Sequence, residues 1–216
     1  MSLTLEQVKQ KSNTRLVGLQ PVVLAATLAL IERCYARGVP ILITQGLRTI
    51  AEQDALYAQG RTKPGKVVTN AKGGTSYHNY GLAVDFALLL PDGRTVSWDT
   101  LRDGDKDGVK DWTEVVQEAK AFGFEWGGDF VSLKDYPHLQ LTFGLSISQL
   151  RSGRKPAQAA IDAVYAKIKR MSKEDDDVKA DKAGFIANGV KQPDGLLIDG
   201  TVYVPLRAAG EAAIAG

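Results

Sequence analysis

A chain of 216 residues with 44% hydrophobic and 24% charged residues has an ordinary globular composition, long enough for one generous domain or a domain with a small appendage. Its net charge of +2 is compatible with an anionic partner and too weak to argue for nucleic acid. The single cysteine, Cys34, excludes an intramolecular disulfide, and within LALIERCYARG it reads as a small apolar core residue.

The polar N-terminal stretch MSLTLEQVKQKSN lacks a secretory signal pattern, so synthesis as a soluble cytoplasmic product is expected. Thr4 and Gln7 form a capping box that should start a first helix. Pro21 and Gly38 bracket a longer one, with Leu24, Leu28, Ile31 and Tyr35 on one face. Its apolar run at 22–31 is too short for a bilayer and continues into Glu32 and Arg33, so no membrane insertion is expected. PILIT (40–44) reads as a buried strand, and Thr49 and Glu52 cap a further helix that Gly60 ends.

GLAVDFALLL (81–90) is an apolar strand carrying one carboxylate, Asp85. Trp112 to Phe122 reads as a helix and HLQLTF (138–143) as a strand. This mixture, without regular strand–helix alternation, argues for an α+β fold.

After residue 150 the character changes. Residues 151–183 read as a linker with one helical pattern and a charge-rich, solvated stretch, KEDDDVKADK. Residues 184–216 turn to β signals, with Asn188-Gly189 and Asp199-Gly200 as hairpin turn pairs. The expected organisation is therefore 1–150, 151–183 and 184–216, the last too small for a robust core of its own.

The chain contains only two histidines. His78 lies in a Gly- and Ser-rich loop leading into the strand of Asp85, and His138 opens another strand three residues after Asp135. Two imidazoles and one carboxylate, with a position left for water, form the ligand set of a catalytic zinc. A nearby carboxylate outside that set is what an activated water needs as general base.

The stretch SYHNYGLAVD (76–85) resembles the S-x-H-x-x-G-x-A-x-D motif of the zinc D-Ala-D-Ala carboxypeptidase superfamily, and DYPH (135–138) resembles its second motif. ITQGLRTIAEQDALYAQGRTKPGKVVTNA and GFEWGGDFVSLKDYPHLQ are similar to the L-alanyl-D-glutamate endopeptidases of phage endolysins and Bacillus wall hydrolases. The resemblance spans about residues 5–145 and implies a small central antiparallel sheet with helices packed on it, as in Hedgehog and D,D-peptidases.

It further implies Zn²⁺ on His78, Asp85 and His138, Asp135 as catalytic base, and Arg48 binding substrate and stabilising the developing oxyanion. Glu125 is a second candidate base, and Gln53 and Ser76 are expected to line the substrate site. The implied partner is bacterial peptidoglycan, met by a monomer that acts on the cell wall after release from the host cytoplasm. The implied activity is cleavage of the L-Ala–D-Glu bond by a phage or prophage endolysin. A D,D-carboxypeptidase and a Hedgehog-like binding domain are the alternatives; a retained Asp135 argues against the latter.

Asp103, Asp105, Asp107, Gly108, Val109, Asp111 and Glu114 fall at positions 1, 3, 5, 6, 7, 9 and 12 of an EF-hand loop. The expectation is Ca²⁺, which some phage peptidases of this branch require. Against it, RTVSWDTLR does not read as an incoming helix, and Lys110 stands at the usually apolar position 8. An acidic loop capping the next helix is the simpler alternative. The tail resembles one repeat of the copper-amine-oxidase N-terminal-like modules of bacterial surface proteins, which implies a partial wall-binding module. With no histidine in the tail, copper is not expected there.

Overall fold

Thr4 accepts a hydrogen bond from the Gln7 backbone at 3.3 Å while the Gln7 side chain accepts from the Thr4 backbone at 2.9 Å, which starts α1 (Leu5–Leu16). Thr49 and Glu52 make the same exchange at the head of α3 (Ile50–Ala58). Each cap satisfies otherwise orphaned N–H groups and contributes about 1 kcal/mol. Between them lie α2 (Pro21–Ala36), which begins with proline where no N–H is needed, and β1 (Ile41–Gln45).

The computed structural model describes residues 3–131, 133–181, 185–187, 190–192, 196–198 and 201–203. The buried stripe of α2 is Val22, Val23, Ala26, Leu30, Ile31 and Cys34. Of the predicted face only Ile31 is fully buried; Leu24, Leu28 and Tyr35 are half-buried. The helix is apolar almost all round and packs on α1, β1 and α4 (Asp111–Phe122) at once, so periodicity could not choose among its faces.

At the centre of the sheet lies β2 (Ala83–Leu89). β1 pairs along one edge of it, and β3 (Val96–Ser97) and β5 (His138–Gln140) pair with it toward its two ends. β4 (Glu125–Trp126) lies beyond β5, and every pairing is antiparallel. Helices cover this small sheet, so the fold is α+β. Every β2 residue is buried except Asp85, which is half-buried. α4 packs Trp112, Val115, Ala119 and Phe122 inward, with the Trp112 and Phe86 rings 4.6 Å apart. Arg37 ties α2 to α4 through Glu114 at 2.8 Å and Glu118 at 3.0 Å.

Two further helices, α5 (Ile147–Arg151) and α6 (Gln158–Asp181), follow. The chain divides into units 1–168 and 169–216, with α6 running through the boundary. α6 also continues through most of the charge-rich stretch expected to be solvated, because no proline or glycine interrupts it. In the second unit β6 (Phe185–Ala187) pairs with β7 (Val190–Gln192), and β8 (Leu196–Ile198) pairs with β9 (Thr201–Tyr203). The predicted turn pairs Asn188-Gly189 and Asp199-Gly200 lie outside the described residues, as does most of the repeat-like segment. Among the described residues no helix is long and apolar enough to cross a membrane.

Candidate metal centre

Cross-strand register brings two of the predicted ligands, distant in sequence, together. Asp85 on β2 is the direct partner of His138 on β5. His78 arrives from the other side, in the 3₁₀ turn Tyr77–Tyr80 just before β2. Gly81 closes that turn at φ 65°, in the left-handed region, and a Cβ there would lie 2.7 Å from the Gly18 carbonyl oxygen. The glycine lets the loop reverse tightly enough for His78 to face back over Asp85.

The three side chains converge. His78 Nε2 is 3.2 Å from Asp85 Oδ1 and 3.1 Å from His138 Nδ1, and His138 Nδ1 is 3.3 Å from Asp85 Oδ1. Tetrahedral zinc bonds of about 2.0–2.1 Å require ligand atoms about 3.3–3.4 Å apart, close to this triangle. His78 and His138 are both buried. His78 Nδ1 lies 2.8 Å from the Gly46 carbonyl oxygen, which only accepts, so that nitrogen carries the proton and Nε2 presents a lone pair inward. The donor set therefore fits zinc.

Burial would push the Asp85 carboxyl up, but the two imidazoles beside it hold it well below the usual carboxylate range. Burial likewise opposes the charged form of His138, and the adjacent Asp85 carboxylate outweighs it, raising the imidazole. Asp135 is exposed as a residue, yet desolvation of its carboxyl and then the Asp85 charge raise its pKa, against the pull of the histidines and Arg48. Its backbone is tied down by Asp135 N–H donating to Gly127 O at 3.0 Å, and a Cβ on Gly127 would lie 2.3 Å from the Asp135 carbonyl oxygen.

A cleft of about 500 Å³ opens over the cluster, and Arg48, Ser76 and Asp135 line it with His78, Asp85 and His138. Arg48 Nη2 lies 3.6 Å from Asp85 Oδ2, Nη1 donates to Gln53 Oε1 at 2.8 Å, and buried Nε has no hydrogen-bond partner among the described residues. Ser76 thus faces the cleft over the cluster. Gln53 does not: it is 0% exposed and has no surface in the cleft. Its amide instead donates to Ala71 O at 2.8 Å and Thr69 Oγ1 at 3.3 Å and accepts from Arg48, so it supports the cleft wall from behind.

Glu125 also stands apart from the cluster. It accepts from Gln140 Nε2 at 2.8 Å and from the Thr142 hydroxyl, while Gln140 Oε1 lies 2.9 Å from His138 Nε2. Gln140 is a site residue that the motif did not point to. Its position two residues after His138, on the same face of a strand, was the available signal.

The predicted calcium ligands form two overlapping groups that share Asp105: Asp103, Asp105 and Asp111, and Asp105, Asp107 and Glu114. Gly108 N–H donates to Asp103 at 3.1 Å and Val109 N–H to Asp107 at 2.7 Å, while Asp111 pairs with Arg102 at 3.4 Å. Glu114 is buried with Oε1 on Arg37 and Oε2 without a hydrogen-bond partner among the described residues. Burial first, and then the Asp107 and Asp105 charges, raise the Glu114 carboxyl against the pull of Arg37.

Comparison with known proteins adds to this geometry. A family model described as D-alanyl-D-alanine carboxypeptidase matches residues 69–141. The chain is 53% identical to the peptidoglycan L-alanyl-D-glutamate endopeptidase CwlK of Bacillus subtilis (strain 168) over 123 residues, covering 57% of this chain and 73% of that protein. It is 29% identical to the L-alanyl-D-glutamate peptidase of Listeria phage A118 over 196 residues, 87% of this chain and 64% of that one. The crystal structure of the Serratia marcescens L-Ala D-Glu endopeptidase ChiX is similar over 62% of this chain and 87% of that chain, at 30% identity and a TM-score of 0.43.

Proposed function

This chain belongs to the D-alanyl-D-alanine carboxypeptidase family of peptidases, and on that premise we propose that it is a peptidoglycan hydrolase cutting the L-Ala–D-Glu bond of the stem peptide. The observation that carries the reading is the triangle of ligand atoms at 3.1–3.3 Å beneath an open cleft that also holds Asp135 and Arg48. High identity to a named L-alanyl-D-glutamate endopeptidase supports the choice of bond, and the phage relative supports a role as a phage or prophage lysin.

In this reading His78, Asp85 and His138 hold Zn²⁺, which when bound supplies Lewis-acid polarisation of the scissile carbonyl and acidification of water. Asp135 takes a proton from the attacking water as its oxygen bonds to the carbonyl carbon. Arg48 faces the negative charge that develops on the carbonyl oxygen, with Gln53 holding the guanidinium in place. When the C–N bond breaks, Asp135 returns the proton to the departing amine of D-Glu.

Product masses from purified peptidoglycan treated with zinc-loaded protein test the reading. L-Ala left on muramic acid, together with peptides bearing a new D-Glu amino terminus, is the expected result. Loss of a single D-Ala would mean a carboxypeptidase instead, as the family model's description allows. Intact muropeptides would point to a binding domain.

Ca²⁺ at the 103–114 loop forms a second part of the reading. It is supported by the buried, unpartnered Glu114 Oε2 beside Asp105 and Asp107. A divalent cation would satisfy that oxygen and relieve the carboxylate crowding.

A further inference from the structure

His138 has two ring nitrogens, and the face it turns to the cluster depends on which one carries the proton. At His78 that question is answered by a backbone carbonyl, which cannot turn away. At His138 the answer lies in side chains. Its Nε2 is 2.9 Å from Gln140 Oε1, and the Gln140 amide nitrogen is in turn 2.8 Å from Glu125 Oε2. Glu125 and Gln140 are direct cross-strand partners on β4 and β5.

A carboxylate only accepts, so the NH₂ end of the Gln140 amide must face Glu125. The reversed amide would set its oxygen against the Glu125 oxygen and its NH₂ against His138. With the amide held this way, Gln140 Oε1 accepts and His138 Nε2 must donate. Nδ1 is then left with its lone pair directed at Asp85 Oδ1 and His78 Nε2. Thr142 donates its hydroxyl to the second Glu125 oxygen and anchors the carboxylate from the far side.

We propose that Glu125 is a positioning residue which, through Gln140, locks His138 in the Nε2–H tautomer and so presents Nδ1 to the metal centre. The proposal rests on the reading of His138 as a metal ligand. It gives Glu125 a role other than catalytic base, because Gln140 stands between Glu125 and the cluster. In the neutral rings it leaves three acceptor atoms facing one another at 3.1–3.3 Å, an arrangement that a cation among them relieves.

Glu125→Leu, Gln140→Leu and Glu125→Gln test this with two readouts. The first is the His138 tautomer in metal-free protein, read from long-range ¹H–¹⁵N correlations at alkaline pH. The second is zinc affinity by competition with a chelator. The wild type should show the Nε2–H form, and both leucine variants a mixture of tautomers with zinc affinity lowered about 10–100-fold. Glu125→Gln still offers an amide oxygen to Gln140 and should stay within a few-fold of wild type. Should Gln140→Leu fail to fold, the exposed position 125 decides by itself. An unchanged tautomer in Glu125→Leu overturns the proposal, even where zinc affinity falls. A wild-type protein that binds no zinc would overturn the metal reading, while the tautomer populations would still decide the relay.

Discussion

The His78–Asp85–His138 cluster and the acidic loop at 103–114 both gather ligand-type side chains, and they are built in opposite ways. In the cluster the ligand atoms sit on or beside hydrogen-bonded strands, the imidazoles are buried, and each ring has its outer nitrogen engaged by Gly46 or Gln140. In the loop Asp103, Asp105 and Asp107 are exposed, and each of them accepts a backbone N–H group of the loop itself. Its two buried carboxylates, Asp111 and Glu114, already have arginine partners. A cation entering the cluster finds its ligands arranged, whereas one entering the loop must displace or share existing contacts. Preorganisation of this kind favours tight binding at the first site and weaker, exchangeable binding at the second.

The contrast can be broken most directly at Asp85. Asp85→Asn keeps the shape but removes the charge between the imidazoles; hydrolysis should be lost and zinc retention should fall by at least about 100-fold, the upper range for metal-site perturbation. Full zinc occupancy with wild-type turnover in that variant would remove the cluster from the chemistry. Asp135→Asn should separate holding a metal from using it. Zinc content should stay stoichiometric while kcat drops by about 10²–10⁴, the usual contribution of a general base. Zinc loss equal to that of Asp85→Asn would make Asp135 a ligand instead.

The smallest effect is expected at the loop. Added Ca²⁺ should raise the Tm of calcium-depleted wild type, and Glu114→Gln should abolish the increment while leaving calcium-free hydrolysis within a few-fold. A wild-type Tm indifferent to Ca²⁺ would leave the loop as a helix cap and nothing more.

Much of the site was readable in the residues. His78, Asp85 and His138 were named from motif spacing, and the capping boxes at Thr4 and Thr49 start the helices they were expected to start. Other features depended on contacts that no local pattern gives. Gln53 looked like a polar residue near a substrate site, but it lies one turn into α3 on the inward side and spends its amide on Arg48 and Ala71. Glu125, in FEWGG, was named as a second candidate base. Its pairing with Gln140 exists only through the β4–β5 register, which no local pattern encodes. Which side of α2 is buried could not be read locally, because nearly every residue of that helix is apolar.

By itself, then, the sequence determined which side chains are candidates for the chemistry, along with the helix starts and the strand of Asp85. These depend on residue type and on spacing over a few positions. Only the tertiary structure decided that Asp85 and His138 stand side by side, that Arg48 leans on Gln53, and that Glu125 meets Gln140. Those relations arise from strand register and from burial, which sum contacts between segments far apart in the chain.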